Sequence, residues 1–459
     1  MFDFRTVKKI HFSGVGGVSL SSLARFCHDQ GYLVTGSDRA YSQTMESLLE
    51  YGIDVWVGFR PEKLGRPDLA VYSSAVPETD PERIYLGGAG VPMLERYAFL
   101  PYVSAFFSSV LAIAGTHGKT TVTSMCAHIM HGARLPFYAH IGGTSLDLGP
   151  YHHSGNGYFL TEACEYRRSM LALRPDVGVV LNAEVDHPDT YKDKSDVFDA
   201  FDDFLSATGK YRVVNADSEY YRLRQKPFSP VTFGFCKEAT FRGVDIKMYE
   251  NGCFGCQILY NGIPFVQIRL RIPSKCNLEN ALCACAVCFL IGISPETIRE
   301  GLNTFSGVKR RFEKCGTCEN IPLYTDYAHH PTEIKQAIET AKDLARSVLV
   351  VFQPHTYSRT ARLKEDFVES LSHADSLIVT KEYAARETPA DGCSAIALFR
   401  ACKNHFKYYA DDLLEAAVLV RKALLSKENA PTLILVVGAG DIVTLVDLLK
   451  DDLTVSTQY

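Results

Sequence analysis

The sequence predicts an α/β protein of three domains. These are a Rossmann-like domain over residues 1–109, a central P-loop domain with a small β-meander over 110–306, and a Rossmann-like α/β domain over 307–459. Three observations carry this. Apolar runs of strand length alternate with helical patterns through 459 residues, a length beyond one ordinary domain. Two strand-to-helix turns are glycine-rich, at Gly14–Gly17 and Gly115–Gly118. Polar residues gather where the apolar runs end, at the carboxyl edge where open α/β sheets take ligands.

Composition narrows the class. Hydrophobic residues at 46% and charged residues at 22% are those of a globular chain, and a net charge of −5 lacks the basic footprint of a nucleic-acid binder. No apolar run approaches the roughly 18 residues that cross a membrane. The start, MFDFRTVKKIHFSG, enters a strand without a secretory apolar stretch, so a cytoplasmic location is expected. The pairs Cys253/Cys256 and Cys315/Cys318 have the spacing of zinc half-sites but stand too far apart for a compact ribbon. Cys283, Cys285 and Cys288 read as small core residues of an apolar helix.

In the first domain a strand over 7–14 leads into Gly14, Val15, Gly16 and Gly17, then a helix over 18–30. A second strand over 32–36 ends at Ser37 and Asp38, and a third over 69–72 ends at Ser73 and Ser74. This is a Rossmann-type opening with an incomplete G-x-G-x-x-G, since Ser19 takes the third glycine position. Either a dinucleotide such as NAD or another nucleotide diphosphate suits it.

The central domain opens on LAIAGTHGKTT, Leu111–Thr121. Glycines let backbone N–H groups curl around phosphates, and a helix start adds its positive end. Lys119 would reach the β/γ-phosphates and the Thr120 hydroxyl would ligate Mg²⁺. Ile113 stands where the common P-loop has its first glycine, so this is a shorter variant. A helix is expected from Val122. Within the segment 158–169 an apolar strand delivers Glu162 and Glu165 at its end, and another strand over 177–181 delivers Asn182, Glu184, Asp186 and His187. Carboxylates suit Mg²⁺, whereas His187 on chemistry alone reads as a hydrogen-bonding residue. A meander with two Asn-Gly turns precedes a helix over 277–290, whose Asn277 and Asn280 read as caps or as contacts to a base edge.

The third domain carries strands over 323–326, 348–352, 377–380 and 433–437, each ending in a polar loop: YAHHPTE, QPHTYSRT, KEYAARE and GAGD. Cationic and hydroxylic loops at one sheet edge suit an anionic substrate.

Together HFSGVGGVSLSSLA, GSD, SSAVP, AGTHGKTT, NAEVDH, GVKRRFE, TDYAHHPTE, FQPHTYSRT, YAARE and VGAGDI resemble the Mur ligase family over essentially the whole chain, and most of all its alanine-adding branch. The resemblance implies an ATP- and Mg²⁺-dependent ligase that activates the carboxylate of UDP-N-acetylmuramate as an acyl phosphate for attack by L-alanine. UDP, not NAD, would then lie on Gly14, Val15, Gly16, Gly17, Ser37, Asp38, Ser73 and Ser74. ATP would lie on Gly115, Thr116, His117, Gly118, Lys119, Thr120 and Thr121, with Asn277, Asn280, Arg311 and Asp326. Thr120, Glu162 and His187 would hold metal, and Lys119, Glu162, His187, His329, His330 and Arg359 would serve catalysis, with Arg386 near the substrates. A mobile third domain, working as a monomer or weak homodimer, is implied. Three residues depart from the family pattern: Cys164 for an acid, Cys276 for a histidine and Thr356 for an arginine. The alternatives are a murein tripeptide ligase of the same family and a nucleotide-binding relative with reduced catalysis.

Overall fold

The computed structural model describes residues 4–186, 190–224, 229–385, 387, 394–425 and 430–450. The chain forms two compact units. One comprises Met1–Asp245, Cys256–Ile268 and Glu279–Ser306; the other comprises Ile246–Gly255, Arg269–Leu278 and Gly307–Tyr459.

The first sheet contains β1 (Lys9–Ser13), β2 (Leu33–Asp38), β3 (Asp54–Val57), β4 (Leu69–Tyr72) and β5 (Met93–Glu95). They run parallel in the order β3-β2-β1-β4-β5. The order reverses at β1, so the crevice beside its carboxyl end is the topological switch point. The sequence expectation lacks β3 and β5, whose four and three residues are too short for a periodic signal.

The second sheet has ten strands. They are β6 (Ser109–Ala114), β7 (Phe137–His140), β8 (His152–His153), β9 (Tyr158–Ala163), β10 (Val177–Val180), β11 (Tyr211–Asn215), β12 (Val231–Gly234), β13 (Phe241–Met248), β14 (Cys253–Tyr260) and β15 (Ile263–Pro273). Their order is β15-β14-β13-β12-β11-β10-β6-β9-β7-β8. β6 lies between β10 and β9, parallel to both, so the loops after all three strands open on one edge. The helix after β6 spans Lys119–Gly132 and starts three residues before the expected Val122. Gly118 in the left-handed region is its N-cap, so Lys119, Thr120 and Thr121 form the first helical turn.

These two sheets share one buried cluster. It runs from Ile10, Phe12, Leu23 and Phe26 to Ala112, Tyr138, Phe159, Phe201 and Tyr220. Phe26, on the helix Val18–Asp29 of the first sheet, stacks on Tyr138 of β7 at 4.7 Å and 12°. Stacked aromatics add about 0.5–1.5 kcal/mol beyond the apolar area they bury.

The second unit holds β16 (Glu313–Cys318), β17 (Ile321–Asp326), β18 (Val348–Phe352), β19 (Ser376–Thr380), β20 (Phe406–Ala410) and β21 (Leu433–Val437), in the order β16-β17-β21-β18-β19-β20. All pairings are parallel except β16 with β17. Along β18, Val348, Val350 and Phe352 enter one core while Leu349 and Val351 enter another, as a strand covered on both faces requires. The expectation omits β16, whose polar content hides it, and β20. Cys253, Cys256, Cys315 and Cys318 form no disulfide, and Cys283, Cys285 and Cys288 are fully buried.

Candidate active site

The loop after β6 is shaped by its neighbours. The Asn182 side chain clamps it, accepting from the His117 N–H at 2.8 Å and donating to the His117 carbonyl at 3.1 Å. Thr116 is bound to the backbone of Glu184, whose N–H donates to the Thr116 hydroxyl at 2.9 Å. The His117 ring lies 3.4 Å from the Glu184 carboxylate. Gly118 has φ +85°, and a Cβ there would come within 2.7 Å of the Asn280 side-chain oxygen. Asn280 therefore lies against the phosphate loop. Thr120 and Thr121 are buried in the first helical turn.

Lys119 points back into the loop. Its ammonium donates to the carbonyls of Gly115 and Thr116 and pairs with the Glu165 carboxylate at 2.8 Å. Burial works against this charge, but its neighbours, Glu165 foremost and Glu162 among them, together outweigh it and hold the Lys119 pKa above the usual lysine value. Glu165 is 4% exposed, and its carbonyl accepts from the Tyr191 hydroxyl at 2.6 Å. Next to it, burial pushes the Cys164 thiol up, so Cys164 does not supply the charge of the acid it replaces.

Glu162 sits near the end of β9, and its carboxylate accepts from the Gly142 N–H at 2.6 Å. His187 and Arg386 lie outside the described residues. A glycine turn with a part-buried lysine, a threonine at a helix start and a nearby carboxylate is the donor set that suits a magnesium triphosphate.

In the first sheet, the loop Gly14–Gly17 is held by β2. The Gly14 and Val15 N–H groups donate to the Ser37 carbonyl, and the Gly16 N–H donates to the Asp38 carboxylate at 2.9 Å. Gly14 has φ +83°, and a Cβ there would meet Ser73 at 3.1 Å. The Ser73 hydroxyl accepts from the Ala75 N–H. Two expected sugar-nucleotide contacts thus carry structural duties. Asp38 caps the glycine loop, while the Ser37 hydroxyl turns inward and donates to Glu82 at 2.7 Å.

Glu82 anchors a buried cluster that sequence reasoning missed. It is 3% exposed and accepts from Ser13, Ser37 and the His11 ring. Burial pushes this carboxyl up, but those hydrogen bonds prevail and hold it below the usual glutamate value. The hint was present in the alternation of β1, which sends His11 and Ser13 to one face.

In the second unit, Asp326 ends β17 and accepts from the Phe312 and Ala328 N–H groups, each at 2.7 Å. It fixes a turn in which Arg310 and Phe312 both have positive φ. Its carboxyl is pushed up to about 6, chiefly by burial. Arg311 lies over the Tyr327 ring at 5.3 Å. His330 caps the helix Pro331–Leu344, its Nδ1 accepting from the Thr332 N–H. His329 Nδ1 is 3.0 Å from the Tyr327 carbonyl and 3.6 Å from Glu333. Arg359 Nη1 lies 3.4 Å from His355 Nδ1. Asn277 donates to the Pro273 carbonyl at 2.6 Å, securing the chain that enters the helix Cys276–Leu290.

Comparison with known proteins agrees with this picture. Residues 9–108 match the Mur ligase family catalytic domain, 113–288 the Mur ligase middle domain and 310–440 the Mur ligase glutamate ligase domain. UDP-N-acetylmuramate–L-alanine ligase of Clostridium beijerinckii is 37% identical over 95% of this chain and 96% of its own. The enzyme of that name from Clostridium tetani is 36% identical over 97% and 99%. Among solved structures, UDP-N-acetylmuramate-alanine ligase of Thermotoga maritima superposes with a TM-score of 0.80 at 27% identity, covering 96% and 98%. The murein peptide ligase of Psychrobacter arcticus shares the fold, with a TM-score of 0.74 at 22% identity over 96% and 98%. With a P-loop and a switch-point glycine loop in one packed unit, and this likeness from end to end, the chain belongs to the Mur ligase family.

Proposed function

We propose that the chain joins L-alanine to the lactyl carboxylate of UDP-N-acetylmuramate, by way of an acyl phosphate, with ATP converted to ADP and phosphate. The observation that carries this is 37% identity over 95% of the chain to a ligase of that name. Residues 1–109, 110–306 and 307–459 act as its three domains. The glycine loop after β1 receives the UDP group, with the Asp38 cap holding the loop in shape and the start of the helix Val18–Asp29 behind it. Gly115–Thr121 receives ATP, with Mg²⁺ on Thr120, Glu162 and His187. ATP supplies the phosphoryl group and the metal neutralises its charge.

Lys119 exchanges its loop carbonyls for phosphate oxygens, an exchange Glu165 favours by keeping the ammonium charged. His329 takes the proton from the alanine amine. Its Nδ1–H donates to the Tyr327 carbonyl, which leaves Nε2 as the acceptor. His330 serves as the helix cap beside it.

Purified protein given UDP-N-acetylmuramate, Mg-ATP and either L-alanine or the L-Ala-γ-D-Glu-diaminopimelate tripeptide decides the reading. Phosphate release dependent on the sugar nucleotide and L-alanine is expected. Turnover with the tripeptide alone reassigns the amine substrate, and no turnover with either defeats the ligase reading.

A further inference from the structure

Ser19 fills the third glycine position of the first phosphate loop's fingerprint. It lies at the start of the helix Val18–Asp29, and its hydroxyl reaches out of the first sheet's domain. Ser19 Oγ is 2.7 Å from Nε2 of His140, the last residue of β7 in the second sheet. Arg96, which follows β5, donates from Nη1 to the same hydroxyl at 3.4 Å. On its other side His140 Nδ1 is 3.0 Å from the Thr161 hydroxyl, which donates to the Glu162 carbonyl at 3.0 Å. His140 and Thr161 are register partners on β7 and β9 and are almost wholly buried.

Only one set of proton positions satisfies this chain. The Glu162 carbonyl only accepts, which commits the Thr161 proton to it and makes His140 donate from Nδ1; a neutral ring then accepts at Nε2 from Ser19, whose oxygen accepts from Arg96. Burial and the nearby Arg96 push His140 down to about 3, in keeping with a neutral ring. Two residues beyond His140, the Gly142 N–H donates to the Glu162 carboxylate, so the segment that places the imidazole also places the metal-side carboxylate.

We infer that His140 is a positioning residue that couples the sugar-nucleotide loop to the metal–ATP edge. One arm, through Ser19 at the start of the helix behind Gly14–Gly17, orients Arg96. The other, through Thr161 and Gly142, orients Glu162. This rests on the reading of the two loops given under Proposed function. A histidine buried only to fill space would satisfy its own two nitrogens without linking the two loops.

The test is Ser19→Ala in the full chain, which cuts the link and leaves Gly14–Gly17 and Gly115–Thr121 unchanged, with Ser19→Thr as the hydroxyl-preserving control. In steady-state assays Ser19→Ala is expected to raise the KM for UDP-N-acetylmuramate about tenfold, the weight of one buried hydrogen bond. It is also expected to raise the Mg²⁺ concentration giving half-maximal rate severalfold, a readout a local defect in the first loop does not move. Ser19→Thr stays near wild type. His140→Val reproduces both shifts, and the double variant adds nothing further. An unchanged Mg²⁺ requirement in Ser19→Ala, or fully additive effects in the double variant, overturns the inference. Should the wild type form no product, the ligase reading fails separately. Calorimetric titration of Mg-ADP into wild type and Ser19→Ala still decides the coupling, which requires weaker Mg-ADP binding in the variant.

Discussion

Replacing Lys119 by methionine tests the centre of the site. The substitution keeps length and apolar stem but removes an ammonium that donates to two loop carbonyls and faces Glu165 at 2.8 Å. Two losses follow. Glu165, 4% exposed, is left without its cation, and breaking such a buried pair costs about 3–5 kcal/mol. Catalysis loses a donor preorganised toward the transferring phosphoryl group, a loss of about 100- to 1,000-fold in kcat for one such group. Phosphate release with UDP-N-acetylmuramate, L-alanine and Mg-ATP reads the second loss, and thermal unfolding reads the first. The double variant Lys119→Met/Glu165→Gln removes both charges, so it is expected to regain thermal stability while remaining inactive. Lys119→Met turnover within about tenfold of wild type, less than 1.4 kcal/mol, would refute the assignment of this lysine to phosphate. A double variant no more stable than the single one would refute the buried pair.

Three further predictions follow from single residues. Gly118→Ala forces a side chain into φ +85° and to within 2.7 Å of Asn280, so nucleotide binding measured by calorimetry falls at least tenfold while the UDP site is spared. Asp326 has a carboxyl raised to about 6, so its contribution to stability is fully present below about 3.8 and is lost as pH rises through 6. Asp326→Asn is expected to flatten the pH dependence of unfolding in that window, and an unchanged slope counts against the burial argument. Glu82 has the opposite sign. Held below its ordinary value of 4.5, it stabilises above that pH and loses the contribution as pH falls, so Glu82→Ala lowers the melting temperature at pH 7 and has a smaller effect in acid.

Much of the fold is legible in the chain because apolar runs of five or six residues leave a clear period. β6, β10, β11, β18 and β21 stand close to their expected places. The strands that escape are those whose pairing, not composition, makes them strands. β16 carries Glu313, Lys314 and Thr317 and exists because β17 offers it an antiparallel edge. Likewise the phosphate-loop helix begins at Lys119 because Gly118 takes a left-handed cap, a conformation that leaves no mark in hydrophobic periodicity.

The sequence alone determined the order of the parts: a glycine loop, a short P-loop, two carboxylate-bearing strand ends and a cationic sheet edge. Those depend on residues adjacent in the chain, where spacing governs geometry. Tertiary structure alone decided how the side chains are spent. Ser37 turns to Glu82, 45 residues away, Asn182 clamps His117 across 65, and Ser19 meets His140 across 121. A hydroxyl or amide has the same donors and acceptors wherever it stands. Its role is set by which strand lies next to it, and strand order is a property of the folded sheet.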